Sequence, residues 1–338
     1  MAGVHGGENQ LTFGGAWGYG RGVTHPLLDR SVVRAVEHAA TEHLGRGWTS
    51  TGFTDLNHRA SHPCGIFAGT PFSVFAKFDG SAVGAEQFAA ELNGFRLIRS
   101  RTEVDTPVPV AGGIVGTSTG TLLLSEALAE RGAASGQAAE SRTPGDYAAI
   151  GRALAGLHQA RGETFGLTEF DGFFGPLRQG NRPVGSGRWA DFYAERRMLP
   201  MLGFAVDSGH LPAGLARGVE AIVARLPSLC GPDPVPTLLH GDSQQNNFIS
   251  TPDGAAVVDV APYFGHPEVD LAFVDVFAPA DPELFRGYAE VAPVEAGFAD
   301  RRELWRLHGY LGVIAVDGGG DFGRAFVSRL AAAVRQYT

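Results

Sequence analysis

Hydrophobic and polar positions change their period part-way along the chain. Residues 1–25 are rich in Gly and aromatics, including Phe13, Trp17 and Tyr19, and show no period; they read as an arm. Apolar residues then recur at helical spacing over 27–45. From Trp48 to Phe78 the pattern is that of strands and turns, ending in Ser73-Val-Phe-Ala-Lys-Phe78, a β-branched and aromatic segment. Residues 85–101 predict an amphipathic helix with Phe88, Leu92, Phe95 and Ile98 on one face. Pro107 to Gly116 predicts a further strand with turns, and Thr121 to Leu128 a buried strand running into a connector. The Ala-, Gly- and Ser-rich stretch from Glu130 to Pro144 reads as a linker. Beyond it the helical period dominates, over 146–160, 189–200, 215–226, 301–313 and 326–334, with a loop-like stretch at 165–187. The pattern predicts an α+β protein: an arm over 1–25, a β-rich lobe over 26–128 and a mainly helical lobe over 129–338.

Two apolar runs interrupt the helical half. Thr237-Leu-Leu delivers His240-Gly-Asp242 onto a loop, with Asn247 five positions after Asp242. Ala255-Ala-Val-Val then ends in Asp259. This is the spacing of the H-R-D-x-x-x-x-N loop that handles phosphoryl transfer, with Gly241 in place of Arg and a later Asp to hold a metal. Transfer to a hydroxyl needs a carboxylate beside the attacking oxygen, a cation against the phosphates and a metal. Asp242 is the candidate base, and Asn247 and Asp259 are oxygen donors suited to Mg²⁺. Lys77, inside a strand among apolar neighbours, is costly unless paired, and Glu91 on the following helix is its candidate partner. The connector through Glu126 and Leu128 is the candidate binding edge for a nucleobase. Taken singly, each feature has a plainer explanation: Asp and Asn favour turns, Asp259 could cap a helix, Lys77 could sit on a sheet edge, and His240 reads as a brace. The ordered set is what points to nucleotide chemistry.

Composition narrows the partners. A net charge of −9 disfavours nucleic acid, which needs clustered Lys and Arg. Cys64 and Cys230 stand far apart and outside any metal-ligand spacing, which fits a reducing cytosol. Neither a basic-then-apolar leader nor a bilayer-length apolar run is evident, so a cytoplasmic protein without membrane contact is expected. Oligomeric state is not readable from these features.

A family resemblance follows from longer stretches. Phe75-Ala-Lys77, Phe88-Ala-Ala-Glu91, Leu154-Ala-Gly-Leu-His158, Trp189-Ala-Asp-Phe-Tyr-Ala-Glu-Arg-Arg197, His240-Gly-Asp242, Tyr263-Phe-Gly-His266 with Asp270-Leu-Ala, and Gly297 to Trp305 carry it. From about residue 48 onward the chain resembles the fructosamine kinase family, a relative of the aminoglycoside phosphotransferases within the protein-kinase-like fold. The resemblance implies that Lys77 holds phosphates, Glu91 orients it, Asp242 is the base, and Asn247 and Asp259 hold Mg²⁺. It implies ATP or GTP as donor, and Asp270 as a brace of the loop.

Three stretches depart from the family pattern. They are Ser243-Gln-Gln-Asn246 between Asp242 and Asn247, the segment Val313 to Gly320, and the turn Gly52 to His58 with its one glycine. Because segments expected near the acceptor differ, the first expectation is a kinase of a sugar-containing antibiotic. The alternative is a ketosamine kinase acting in protein deglycation, and a third reading is a nucleotide-binding pseudokinase.

Overall fold

In the computed structural model, residues 25–59, 62–131 and 142–338 are described. Of the expected arm only His25 falls among them, and most of the expected linker, 132–141, lies outside. A short 3₁₀ turn at Pro26–Leu28 leads into α1 (Arg30–Leu44). Asp29 caps α1 through the Ser31 amide, and left-handed Gly45 ends it. Then come β1 (Gly52–Asp55), a 3₁₀ turn at Asn57–Arg59, β2 (Cys64–Ala68) and β3 (Val74–Asp79). Helix α2 (Gly84–Arg101) intervenes before β4 (Pro109–Gly116) and β5 (Thr121–Glu126). The five strands form one antiparallel sheet in the order β1-β2-β3-β5-β4.

Strand alternation divides the side chains of β3. Val74, Ala76 and Phe78 enter a core shared with Val32, Val36 and Ala40 of α1. Lys77 therefore points to the opposite face, where Phe88 and Leu92 of α2 pack on Leu123 of β5, its cross-strand partner. Farther along α2, Phe95 and Ile98 belong instead to the large core of the helical half. One helix thus carries apolar side chains into two cores, and Glu91 lies on it between Phe88 and Leu92 of the first.

The rest is mainly helical. It comprises α3 (Pro144–Gln159), a hairpin of β6 (Gly172–Phe174) and β7 (Leu177–Gln179), α4 (Trp189–Tyr193), α5 (Leu199–Asp207) and α6 (Ala213–Leu229). Residues Ala194–Met198 form a π-helical turn joining α4 to α5. The strands β8 (Thr237–Leu238), β9 (Phe248–Thr251), β10 (Gly254–Val257) and β11 (Phe264–Gly265) follow. Helices α7 (Pro267–Phe273), α8 (Pro282–Ala289), α9 (Phe298–Asp317) and α10 (Asp321–Tyr337) end the chain. Thr143 and Asp146 close a reciprocal capping box at the start of α3. The π turn lies over the most aromatic part of the core, where Trp189 packs with Tyr193 and Trp305. Arg197, on the same turn, is buried with its guanidinium 3.9 Å from the Tyr263 ring centroid.

The α+β order agrees with the sequence pattern. The stretch at 165–187 is less loop-like than expected, since it holds the β6–β7 hairpin. Helix α8 was not predicted, and α9 and α10 extend several residues beyond their predicted ends. Among the described residues, no helix is long and apolar enough to cross a membrane.

Candidate active site

Strand β8 pairs antiparallel with β11 and carries the chain to His240. The turn that follows requires glycine. Gly241 has φ +84°, and a Cβ there would lie 2.0 Å from the Ala261 carbonyl oxygen. This explains Gly in the position where the H-R-D pattern has Arg. Asp270 on α7 then fixes the loop from below. Its buried carboxylate accepts from the amides of His240 at 2.6 Å and Gly241 at 3.1 Å. His158 Nε2 lies 3.2 Å from the same carboxylate, and its Nδ1 is 2.7 Å from the Tyr288 hydroxyl. His240 is fully buried against Phe248, and its Nδ1 accepts from the Asp242 amide at 3.3 Å. Burial holds its pKa below the ordinary value, so it braces the loop as a neutral ring.

Asp242 emerges half-buried from this frame. Its Oδ2 accepts from Asn247 Nδ2 at 3.0 Å, while the same amide donates to the Asp242 carbonyl at 2.9 Å. Its Oδ1 is buried without a hydrogen-bond partner among the described residues. Burial, reinforced by the negative charge of Asp259, raises the Asp242 pKa to about 7. A carboxylate with one bonded oxygen and one unpartnered oxygen, titrating near neutrality, is suited to take a proton.

The β9–β10 hairpin places Asp259. The Val258 amide donates to the Asn247 carbonyl at 2.9 Å, and Asp259 itself adopts φ +52°, uncommon for a residue with a side chain. Lys77 crosses from β3 to meet it. Lys77 Nζ donates to Glu91 Oε1 and Oε2 at 3.1 and 2.9 Å and to the Asp259 carboxylate. Burial works against the Lys77 charge, but the two carboxylates outweigh it and hold its pKa above the ordinary value. Burial pushes Glu91 up to about 7 against the pull of Lys77. Asp259 is half-buried, and desolvation works to raise its pKa, yet Lys77 holds it down.

Two cavities meet at this cluster. One is largely apolar, lined by Ile66, Phe75, Leu123 and Val258, and it ends at Glu126, Ala127 and Leu128. The other holds Asp242, Gln244, His62 and a set of phenylalanines. Arg59, Lys77, Glu91, Asn246 and Asp259 line both. At the connector, the Glu126 amide donates to Val108 and the Ala127 amide to Ser73, each at 2.8 Å. The Glu126 side chain lies 3.1 Å from His43. The Leu128 amide makes no such bond among the described residues.

All seven residues singled out in the sequence therefore line these cavities. Arg59, His62, Gln87, Phe170, Phe173, Phe174 and Phe277 were not singled out, because no spacing connects them. The departures from the family pattern need correction. Ser243 is buried and donates to the Asp270 carbonyl at 2.7 Å, and Gln245 donates to Ala278 at 2.9 Å. Only Gln244 and Asn246 of that segment face the cavities. Residues 313–320 line neither cavity: Val313 and Ile314 are core, and a Cβ on Gly318 would strike His210. Their departure from the family pattern therefore gives no support to an unusual acceptor.

A family model for fructosamine kinases matches residues 32–336. The chain belongs to the fructosamine kinase family. A relative from Klebsiella aerogenes, named a probable ketoamine kinase, is 33% identical over 171 residues, covering 50% of this chain and 58% of that one. The chloroplastic protein-ribulosamine 3-kinase of Oryza sativa subsp. indica is 27% identical over 280 residues, covering 82% and 77%. A Thermobifida fusca structure, assigned by name as a fructosamine-3-kinase, superposes with a TM-score of 0.72. It is 30% identical, with 90% of this chain and 99% of that one covered. The fold is thus the protein-kinase-like one expected from the sequence, and the family is the one it resembled.

Proposed function

We propose that this protein transfers the γ-phosphate of ATP to a hydroxyl of a sugar carried on an amine, as a ketosamine kinase. The observation that carries the reaction is the junction of an apolar cavity with the Asp242 cavity at Lys77 and Asp259. The apolar cavity takes the nucleobase, with the Leu128 backbone as its polar contact, since the neighbouring amides are engaged in the sheet. Lys77, oriented by Glu91, meets the phosphates. The acceptor oxygen forms a bond to the γ-phosphorus as the bond to the β-phosphate oxygen breaks. The hydroxyl proton passes to Asp242, and ADP leaves. In this reading the lobes are 26–128 and 129–338, and the reaction takes place between them.

Among the described residues, no cluster of three or more His, Cys, Asp or Glu is arranged to hold a metal. Mg²⁺ beside a nucleotide needs only one or two protein oxygens plus phosphate oxygens. Asn247 commits its amide nitrogen to Asp242, which leaves its carbonyl oxygen for a cation, and Asp259 supplies a carboxylate. The pair therefore fits Mg²⁺, whose chemistry there is to neutralise phosphate charge.

The acceptor class rests on the family match over 32–336 and on relatives named ketoamine and ribulosamine kinases. The antibiotic reading rested on changed segments, of which only Gln244 and Asn246 line the cavity that holds Asp242. Retention of Lys77, Asp242, Asn247 and Asp259 together supports an active enzyme over a pseudokinase. Fructosyl- and ribulosyl-amines should be assayed for phosphorylation beside aminoglycoside and nucleoside antibiotics, with ATP and GTP. Turnover confined to an antibiotic overturns the acceptor class, and nucleotide binding without any turnover overturns the reaction.

A further inference from the structure

The lining of the acceptor cavity combines polar residues, among them Asp242 and Gln244, with an aromatic set, its phenylalanine wall, made of Phe170, Phe173, Phe174 and Phe277. Phe170, Phe173 and Phe277 are half-buried, so their rings are neither core nor free surface. The wall is held in place. Phe173 and Phe174 sit on the β6–β7 hairpin, whose tip is tied to α2 by Gln87 Nε2 donating to the Gly175 carbonyl at 2.9 Å. The Arg178 guanidinium lies 5.5 Å from the Phe173 ring centroid, and Arg178 pairs with Glu86 and Asp171. Phe277 is backed by Phe322 and Phe326.

Charge limits what this wall can face. The cationic or titratable basic groups lining the cavity are Arg59, Lys77 and His62 among the described residues. Arg59 makes a bidentate pair with Glu130, Lys77 meets Glu91 and Asp259, and His62 lies 3.4 Å from Asp79. Each already faces a protein carboxylate. A second anionic group on the acceptor, such as an amino-acid carboxylate, would enter without a cation waiting for it and close to Asp242. A protonated secondary amine is suited to Asp242 and to phenylalanine ring faces. A neutral aromatic substituent beyond the amine would bury its ring against the wall.

We propose that the phenylalanine wall binds the non-sugar half of the acceptor, and that this half is a neutral, aromatic amine substituent rather than an amino acid. The inference rests on the ketosamine reading above. It is tested with three adducts of 1-deoxyfructose, carrying benzylamine, methylamine and glycine. The benzylamine adduct is expected to exceed the other two in kcat/KM by about tenfold or more, mainly through KM. Phe173→Ala and Phe277→Ala should each cost the benzylamine adduct at least about fivefold more than the methylamine adduct, and Phe173→Leu, which preserves the hairpin packing, should cost it less than Phe173→Ala. Equal use of the benzylamine and glycine adducts, or equal losses on all three in the alanine variants, overturns the assignment while leaving the kinase reading intact. Failure to phosphorylate any of the three overturns the ketosamine reading itself.

Discussion

At the scale of single residues, Gly241 and Asp242 illustrate two constraints on one loop. Gly241 is set by backbone geometry: both its φ and the 2.0 Å approach to Ala261 exclude a side chain. Gly241→Ala should therefore destabilise the fold by about 2 kcal/mol or more, read from denaturant midpoints. Asp242 is the proposed base, and on that reading Asp242→Ala should slow turnover by about 10² to 10⁴ with nucleotide affinity nearly unchanged. An unchanged rate removes it as the base. Its titration also carries a stability signature. The folded pKa, about 7, lies above the usual carboxylate value, so the folded state gains a proton-linked stabilisation at low pH that is lost as pH rises through about 7. Asp242→Asn is thus expected to melt above the parent protein at pH 8 and with it at pH 4, in calorimetry. Glu91 titrates in the same window, so the comparison with the variant, not the parent's own pH profile, isolates Asp242. With Asp242 as the proposed base, turnover in the parent should fall below about pH 7 as its carboxylate is protonated.

At the scale of elements, legibility followed period and length. Strand β3 was readable from its β-branched and aromatic content and helix α2 from helical spacing that persists over several turns, and together they already implied that Lys77 and Glu91 meet. The β6–β7 hairpin was not readable: its strands are three residues each, interrupted by Gly and Pro, and held by packing on α2 and ring contacts rather than by a pattern of their own. The same limit hid Arg59. Its loop carries no phosphate-binding signature, yet Arg59 reaches across to Glu130, just past the connector, in two bonds of 2.8 Å. That bridge ties the turn between β1 and β2 to the segment following β5, and both of its residues line the apolar cavity. Charge-assisted bonds contribute about 1.5–3 kcal/mol, and about 1.4 kcal/mol corresponds to tenfold in an opening equilibrium. Glu130→Ala should therefore speed amide hydrogen exchange in residues 56–59 by about tenfold or more, while α9 and α10 exchange as before. Unchanged protection of that loop would mean that the bridge does not hold it.

At the scale of the whole molecule, the site belongs to neither half alone. Asp242, Asn247 and Asp259 come from strands and loops braced by α7, whereas Lys77 and Glu91 come from the sheet and α2, which is anchored in both cores. The order of a β-rich part before a helical part was legible from the switch in period, but the joining of the two by α2 was not, because its apolar face reads as continuous in sequence. This arrangement has a thermodynamic consequence. Lys77 already faces two carboxylates, Glu91 and Asp259, so in the proposed reading a nucleotide would have to replace a carboxylate–ammonium contact rather than fill a void. In the proposed reading, Asp259 would turn from Lys77 toward a cation while Glu91 keeps Lys77 paired, and the phosphates would replace the lost carboxylate. Nucleotide and Mg²⁺ should thus stabilise the fold together more than the sum of each alone. At a hundredfold excess over Kd, a ligand that binds only the folded state adds about 2.7 kcal/mol. With a non-hydrolysable ATP analogue, the parent should gain several degrees in Tm when Mg²⁺ is added. Asp259→Asn retains the Lys77–Glu91 pair, so it should stay folded but lose most of the Mg²⁺-dependent increment. An increment of parental size in that variant would move the cation off Asp259 and require another oxygen donor in the cleft.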